Sequence, residues 1–391
     1  MKRKRSMIRP DPILQSRRRF LRQTGALAVG AATFPALFRA APAVASASPY
    51  VAWEQTAKGD LTDLEYVALC GTLAANAHNT QPWAFNLLGN RIVLYADLAR
   101  HLGQADPRRR LMLMGLGCAT ENMVVAAAQL GHAATVSDAE ADAFLQNGGR
   151  CASLELARRS DSNTHPWFPA IFRRQTTRAE FEPLPISRNE FTESLNEYGE
   201  LPGTYLAWYG AAREREAIVR IAADAVAEFV ANDAAYRDSM SWFRRSRREW
   251  EASRDGISIF TSDAPWFVKE WVEFLSTPED LVSSEFRQGE IDVVKRLAEA
   301  TPLWSVVWSE RDTPDAWLQG GRLIERIYLA AVAQGLAVHP LAYPTESPVG
   351  SSGLAKSLGL PSGAVPLMLL RVGLARPLER SVRRSLQSVL R

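Results

Sequence analysis

Cysteine is scarce in this sequence. Cys70, Cys118 and Cys151 are odd in number and far apart, which argues against a disulfide framework and offers no zinc-ligand spacing. Two of them fall in apolar helical patterns, and all three read as buried free thiols. The five histidines, His78, His101, His132, His165 and His339, form no HxxxH pair, so no metal site is expected. GxSxG, a Walker loop and a GxGxxG between strand and helix are also missing, which removes support for hydrolase, NTPase and dinucleotide-binding readings. Long apolar runs are lacking too. The run from Thr24 to Phe38 is about 15 residues with Pro35 inside it, short of the ~20 a membrane span needs, and no later segment is expected to reach that length.

Positive charge is equally limited once it is located. The chain has 391 residues and a formal charge of +3. The first 47 residues hold ten lysines and arginines against one acid, Asp11, and the remainder has 36 bases and 42 acids. The body is therefore mildly acidic, so the basic balance gives no support to nucleic-acid binding. Length and a 47% hydrophobic content instead suggest two packed cores of ordinary domain size.

What is present begins with a leader. Ser16-Arg17-Arg18-Arg19-Phe20-Leu21 precedes the weakly apolar run, and small residues from Ala43 to Ala47 offer cleavage sites between Ala45 and Ala47. The paired arginines followed by Phe-Leu resemble a twin-arginine (Tat) export signal. That resemblance implies a signal peptide over residues 1–47, the Tat machinery as a partner, and a folded cargo in the periplasm or cell exterior.

After the leader, the pattern LxxLxYVALCGTLA predicts a helix from Asp60 to Leu73, capped by Asp60 or Thr62. A polar loop, 75–83, leads into a hairpin of two strands, 84–87 and 91–95, about Gly89-Asn90. The segment 111–130 predicts an apolar helix buried on nearly every face and stopped at Gly131. Residues 160–169 read as a boundary, followed by helices at 188–196 and 213–232. An aromatic and basic stretch, 235–275, reads as a packed cover over a pocket, not a base-stacking strip, which would need an exposed face. The chain closes with a strand at 303–308, a helix at 317–334, a turn at His339-Pro340, a strand at 366–372 and a basic tail. Setting Gly117 against Gly321 gives six identities in 17 ungapped positions, Glu121 with Glu325 and Gly131 with Gly335 among them. That pattern suggests a duplication.

Two clusters carry candidate chemistry. Arg174-x-Thr176-x-Arg178 puts two guanidinium groups and a hydroxyl on one side of an extended segment, a cradle suited to phosphate, though a solvated basic turn has the same pattern. Asn76, His78, Asn79 and Gln81, just ahead of Pro82-Trp83, could hydrogen-bond a polar ring or a polyol, or simply form a polar loop.

In this order the motifs resemble the nitroreductase superfamily of FMN proteins. The residues are Asn79-Thr80-Gln81-Pro82-Trp83, Arg174-Gln175-Thr176-Thr177-Arg178, Leu369-Leu370-Arg371-Val372-Gly373 and the pair Arg383-Arg384. The HNTQPW string, the DPRRR at 106–110 and the doubled layout are most similar to its fused, single-chain Acg-like branch. The resemblance implies an α+β, nitroreductase-like fold of two fused halves, 48–158 and 159–391, each a small mixed or antiparallel sheet packed with helices, the second carrying the 235–275 insert. It implies FMN as cofactor, with Arg174, Thr176, Arg178 and Arg384 at the phosphate. Asn76, His78, Asn79 and Gln81 would reach in from the first half, Pro340, Leu341 and Ala342 would lie by the reactive edge of the ring, and Arg371 would belong to the site. The first half lacks the basic segment and the second lacks the NxQPW loop, so one FMN per chain is expected. The chain then reads as a monomer that reduces a nitroaromatic- or quinone-like acceptor with electrons from a small-molecule donor. The alternative is a flavin-holding protein whose insert covers the cofactor.

Overall fold

The computed structural model describes residues 48–138, 141–159 and 164–391. The expected signal peptide, its cleavage site and part of the 160–169 boundary lie outside the described residues. Helix α1 (Asp63–Thr72) starts where Thr62 Oγ1 accepts from the Glu65 backbone N–H at 3.2 Å while Glu65 Oε2 accepts from the Thr62 N–H at 2.8 Å, a reciprocal cap that satisfies two otherwise orphaned donors. The loop 73–82 follows. Strands β1 (Trp83–Leu88) and β2 (Arg91–Ala96) form the expected hairpin. Helix α2 (Arg110–Gln129) returns the chain to β3 (His132–Ser137) and β4 (Arg150–Arg158), and the four strands pair antiparallel in the order β1-β2-β4-β3.

The second sheet repeats that order. Helices α3 (Arg188–Asn196) and α4 (Ala212–Ala231) flank β5 (Thr204–Tyr209). Helices α5 (Asp233–Met240), α6 (Arg247–Ser253), α7 (Trp266–Phe274) and α8 (Ser284–Glu299) precede β6 (Leu303–Ser309). Helix α9 (Pro314–Ala333) then leads to β7 (Ala337–Leu341) and β8 (Val365–Gly373), giving β5-β6-β8-β7, again all antiparallel. The fold class is thus α+β with two antiparallel sheets. The counterpart helices α2 and α9 are both 20 residues long. Gly131 and Gly335, just past their ends, both have φ of +77°, and a register shift interrupts β2 against β4 as it does β6 against β8.

Helices α2 and α9 cross in backbone contact. A Cβ on Gly117 would lie 2.0 Å from the Leu318 carbonyl oxygen, and one on Gly321 2.0 Å from that of Met114. Beside the crossing, buried Glu121 receives Arg322 Nε at 2.9 Å and Arg326 Nε at 2.6 Å. One hydrophobic core runs through both helices and parts of both sheets, and a second lies between the outer face of the second sheet and α4 and α8. The tail of the chain pairs Leu390 with Phe85 of β1, covering a sheet edge that would otherwise expose unpaired backbone.

Three expectations need correction. Residues His339 and Pro340 form no turn; both lie in β7. Because β7 is an edge strand, the missing N–H of Pro340 costs no ladder bond. Helix α2 is long and apolar enough to cross a membrane, contrary to the expectation for segments after the leader, but 89% of its most apolar stretch is buried inside the fold. The aromatic stretch 235–275 is only partly packed: Tyr236 and Trp250 are fully buried, whereas Trp266 and Phe274 stand exposed. All three cysteines are buried and free.

Candidate functional site

The loop 73–82 holds three non-glycine residues in the left-handed region, His78, Asn79 and Gln81, with φ near +50°. Such conformations persist only when surrounding contacts over-determine them, and here the contacts are visible. Asn76 Oδ1 accepts from the Gln81 N–H at 2.8 Å. Asn79 Nδ2 donates to the Val382 carbonyl at 3.1 Å, and its Oδ1 accepts from Arg383 Nη1 at 2.5 Å. Gln81 Nε2 donates to the Arg254 carbonyl at 2.6 Å, and its Oε1 accepts from the Arg384 N–H at 2.8 Å. These amides shape the loop through protein partners. His78 Nε2 pairs with Ser239 Oγ of α5 at 2.7 Å, and burial together with the Arg178 charge pushes the imidazole down to about 4.

The basic segment runs along the edge of β7, where Thr176 bridges Val338 and the Thr177 N–H donates to the Val338 carbonyl at 3.1 Å. Alternation then puts Arg174, Thr176 and Arg178 on one side. Arg174, 2% exposed, donates from Nη2 to the Leu73 carbonyl at 2.7 Å and pairs with Glu325 Oε1 at 3.3 Å, while its Nη1 has no partner. Thr176 Oγ1 meets the Tyr328 hydroxyl at 2.9 Å. Arg178 Nη1 donates only to Thr261 Oγ1, at 3.4 Å, and burial lowers its pKa from the ordinary guanidinium range.

Arg383 belongs to this cluster. It is 4% exposed, donates from Nη2 to the Leu73 and Ala74 carbonyls at 3.4 and 3.2 Å, and leaves Nε without a partner. Among the described residues neither Arg178 nor Arg383 forms an ion pair. Arg174 and Arg383 therefore share a single buried carboxylate, Glu325, whose own pKa burial raises, and Arg178, half-buried beside Tyr328, adds a third guanidinium. The formal excess is two positive charges, which a buried cluster tolerates best with an anion beside it.

The other expected residues are placed differently. The Arg384 guanidinium is spent on the Gln81 and Ser388 carbonyls, at 3.2 and 2.8 Å, with Asp97 at 3.9 Å. Arg371, fully buried in β8, donates to Thr301 Oγ1 at 2.7 Å, His339 Nδ1 at 2.9 Å and the Ala179 carbonyl at 3.0 Å. With neutral partners only, burial lowers it to about 9. Pro340 and Leu341 of β7 pair with Leu370 and Leu369 of β8, and Ala342 follows at the strand's end.

Sequence reasoning missed Glu325, Tyr328 and the placement of Arg383 apart from Arg384. A signal existed for Glu325, a charged residue at the aligned position of both long apolar helices. The counterpart region around Glu121 is filled from within. Arg326 Nη1 donates to the Tyr198 and Gly199 carbonyls at 3.1 and 2.7 Å, and Tyr198 packs on His165 and Trp167, ring centroids 4.6 and 4.1 Å apart.

No family profile matches the chain. A Mycobacterium tuberculosis protein described as a "Putative NAD(P)H nitroreductase" is 28% identical over 341 residues, covering 84% of this chain and 92% of the relative, in each of two strains. The chain is similar to nitroreductases along most of its length. Solved structures that resemble it include the FMN-dependent nitroreductase NfnB from Mycobacterium smegmatis in complex with NADPH, 20% identical with a TM-score of 0.38, covering 57% of this chain and 95% of that one. Another is iodotyrosine deiodinase bound to FMN and 3-iodo-L-tyrosine, 17% identical with a TM-score of 0.35, covering 56% and 95%.

Proposed function

We propose that this chain is an exported FMN-dependent oxidoreductase of the nitroreductase superfamily that reduces a nitroaromatic- or quinone-like acceptor by two electrons. The observation that carries the reading is the excess of guanidinium charge at buried Arg174 and Arg383 and half-buried Arg178. A phosphate monoester brings about −1.5 to −2 charge and three acceptor oxygens, which matches both the excess and the unpartnered Arg174 Nη1 and Arg383 Nε. The residues present thus fit an FMN phosphate. Arg174, Thr176, Arg178 and Arg383 would hold it, and Tyr328 would orient the Thr176 hydroxyl. His78, kept neutral by burial, would offer a hydrogen bond without adding charge, while Asn79 and Gln81 fix the loop that presents it. When bound, FMN would supply the redox chemistry, taking a hydride from a reduced donor and returning the electrons to the acceptor.

The filled region around Glu121, Arg326 and Tyr198 supports one FMN per chain, and the matching strand orders support an origin by duplication and a monomeric pseudo-dimer. Export rests on the twin-arginine leader alone.

A second reading, a flavin-holding protein with little turnover, is favoured by the insert. Residues 235–275 touch both sides of the site, through Ser239 to His78, the Gly256 N–H to the Asn79 carbonyl at 3.2 Å, the Arg254 carbonyl to Gln81, and Thr261 to Arg178. Flavin content tests what both readings share. The purified protein should carry visible flavin absorbance that denaturation releases as FMN, near one per chain; a chain that neither retains nor takes up FMN would overturn both.

A further inference from the structure

Residues 256–262 of the insert run from one side of the candidate site to the other. At one end the Gly256 N–H donates to the Asn79 carbonyl at 3.2 Å. At the other, Thr261 Oγ1 accepts from Arg178, and the Asp263 N–H donates to the Arg178 carbonyl at 3.3 Å. Ile257 exchanges backbone hydrogen bonds with Trp242 and Arg244, at 2.9 and 2.8 Å, which fixes the segment from behind. Between these anchors lies Ser258, 4% exposed, with no hydrogen-bond partner for its Oγ. It directly precedes the single turn Ile259–Thr261, a position where serine usually turns its hydroxyl back onto the backbone, yet it makes no such bond. A buried hydroxyl left in this state opposes folding unless something else satisfies it. Asn79, the residue Gly256 touches, also holds Arg383, whose Nε is likewise buried without a partner.

We infer that the Ser258 hydroxyl is a ligand-binding group of this site, donating a hydrogen bond to an oxygen of the ribityl-phosphate chain of FMN. The inference rests on the FMN reading above and extends it. The insert contributes a binding group, so the ligand is held on three sides, by the basic segment, by the 73–82 loop and by residues 256–262. Only the ribityl-phosphate portion of FMN offers several flexible acceptor oxygens to donors arranged in this way.

Removing the hydroxyl separates a binding role from a structural one, because the two predict opposite changes. Apo wild-type protein and Ser258→Ala would be titrated with FMN by quenching of flavin fluorescence, with thermal unfolding of both apo forms in parallel. The apo variant should melt at or above the wild-type temperature, since an unsatisfied buried group is gone, while its FMN Kd rises about three- to tenfold, the loss of one neutral hydrogen bond. Equal FMN affinity in the two proteins would overturn the inference and leave the FMN reading standing, and so would an apo variant that melts lower, which would make the hydroxyl structural. A wild-type protein that fails to bind FMN would overturn both.

Discussion

Arg178 is the residue at which the proposed site is tested with least ambiguity. Among the described residues its guanidinium has no carboxylate partner and one long hydrogen bond, so truncation removes the proposed ligand contact without stranding an opposite charge. Arg178→Ala should weaken FMN binding by about 1.5–3 kcal/mol, the range for a charge-assisted hydrogen bond, with an unchanged or higher apo melting temperature; fluorescence titration and thermal unfolding check the two halves of that statement. Arg174→Ala is a poorer test. It removes the one direct ion pair that buried Glu325 makes among the described residues, so reduced flavin retention there would mix binding with stability. The spacing Arg174-x-Thr176-x-Arg178 was legible because alternation along an extended segment is a local property. The choice between Arg383 and Arg384 was not. Adjacent residues in the tail turn to opposite sides, and which side faces the cluster is set by Asn79 and Gln81, some 300 positions away in sequence.

At the scale of elements, the crossing of α2 and α9 should be the least forgiving part of the fold. A methyl on Gly321 would meet the Met114 carbonyl oxygen at 2.0 Å, and backbone cannot yield as a flexible side chain would. Gly321→Ala should therefore destabilise by at least ~1–3 kcal/mol, the usual cost of overpacking, measured as a lower urea midpoint; an unchanged midpoint would mean the helices can separate freely. Helices α1 and α2 and the β1–β2 hairpin were readable from capping, apolar pattern and turn residues. Strand β7 was not, because Pro340 reads as a break until the strand is known to lie at an edge. The helices within the insert were hidden for another reason: Trp266 and Phe274 face solvent, so apolar periodicity there does not report burial.

Across the whole molecule, half-buried neutral histidines set part of the acid response. His78 is pushed down to about 4 by burial and the Arg178 charge, and His165 down to about 4 chiefly by burial. In the unfolded chain each titrates near ~6.5, so between that pH and 4 the unfolded state binds protons that the folded state does not. Their contribution is flat above about pH 7 and turns against folding as pH falls. Glu346, raised to about 7 by burial, acts in the opposite sense, since its folded carboxyl holds a proton that the unfolded chain releases above ~4.5. A comparison of variants isolates one group. Between pH 7 and 5, wild-type protein should lose on the order of 2 kcal/mol more stability than His78→Gln, read from urea midpoints at the two pH values, and equal losses would contradict the assignment.

The doubled architecture was partly legible at this scale, in six identities between two helices. The filling of one of the two equivalent regions was legible only as missing motifs, because the residues that occupy it, Arg326, Tyr198, His165 and Trp167, form no contiguous pattern. The central claim, that the chain is an oxidoreductase working through FMN, is tested most directly by anaerobic mixing of the FMN-loaded protein with NADPH or NADH, followed by a quinone or nitroaromatic. The account predicts bleaching of the flavin band by a nicotinamide and its return on adding the acceptor. Bleaching by dithionite alone would contradict it and would favour a flavin kept under the insert.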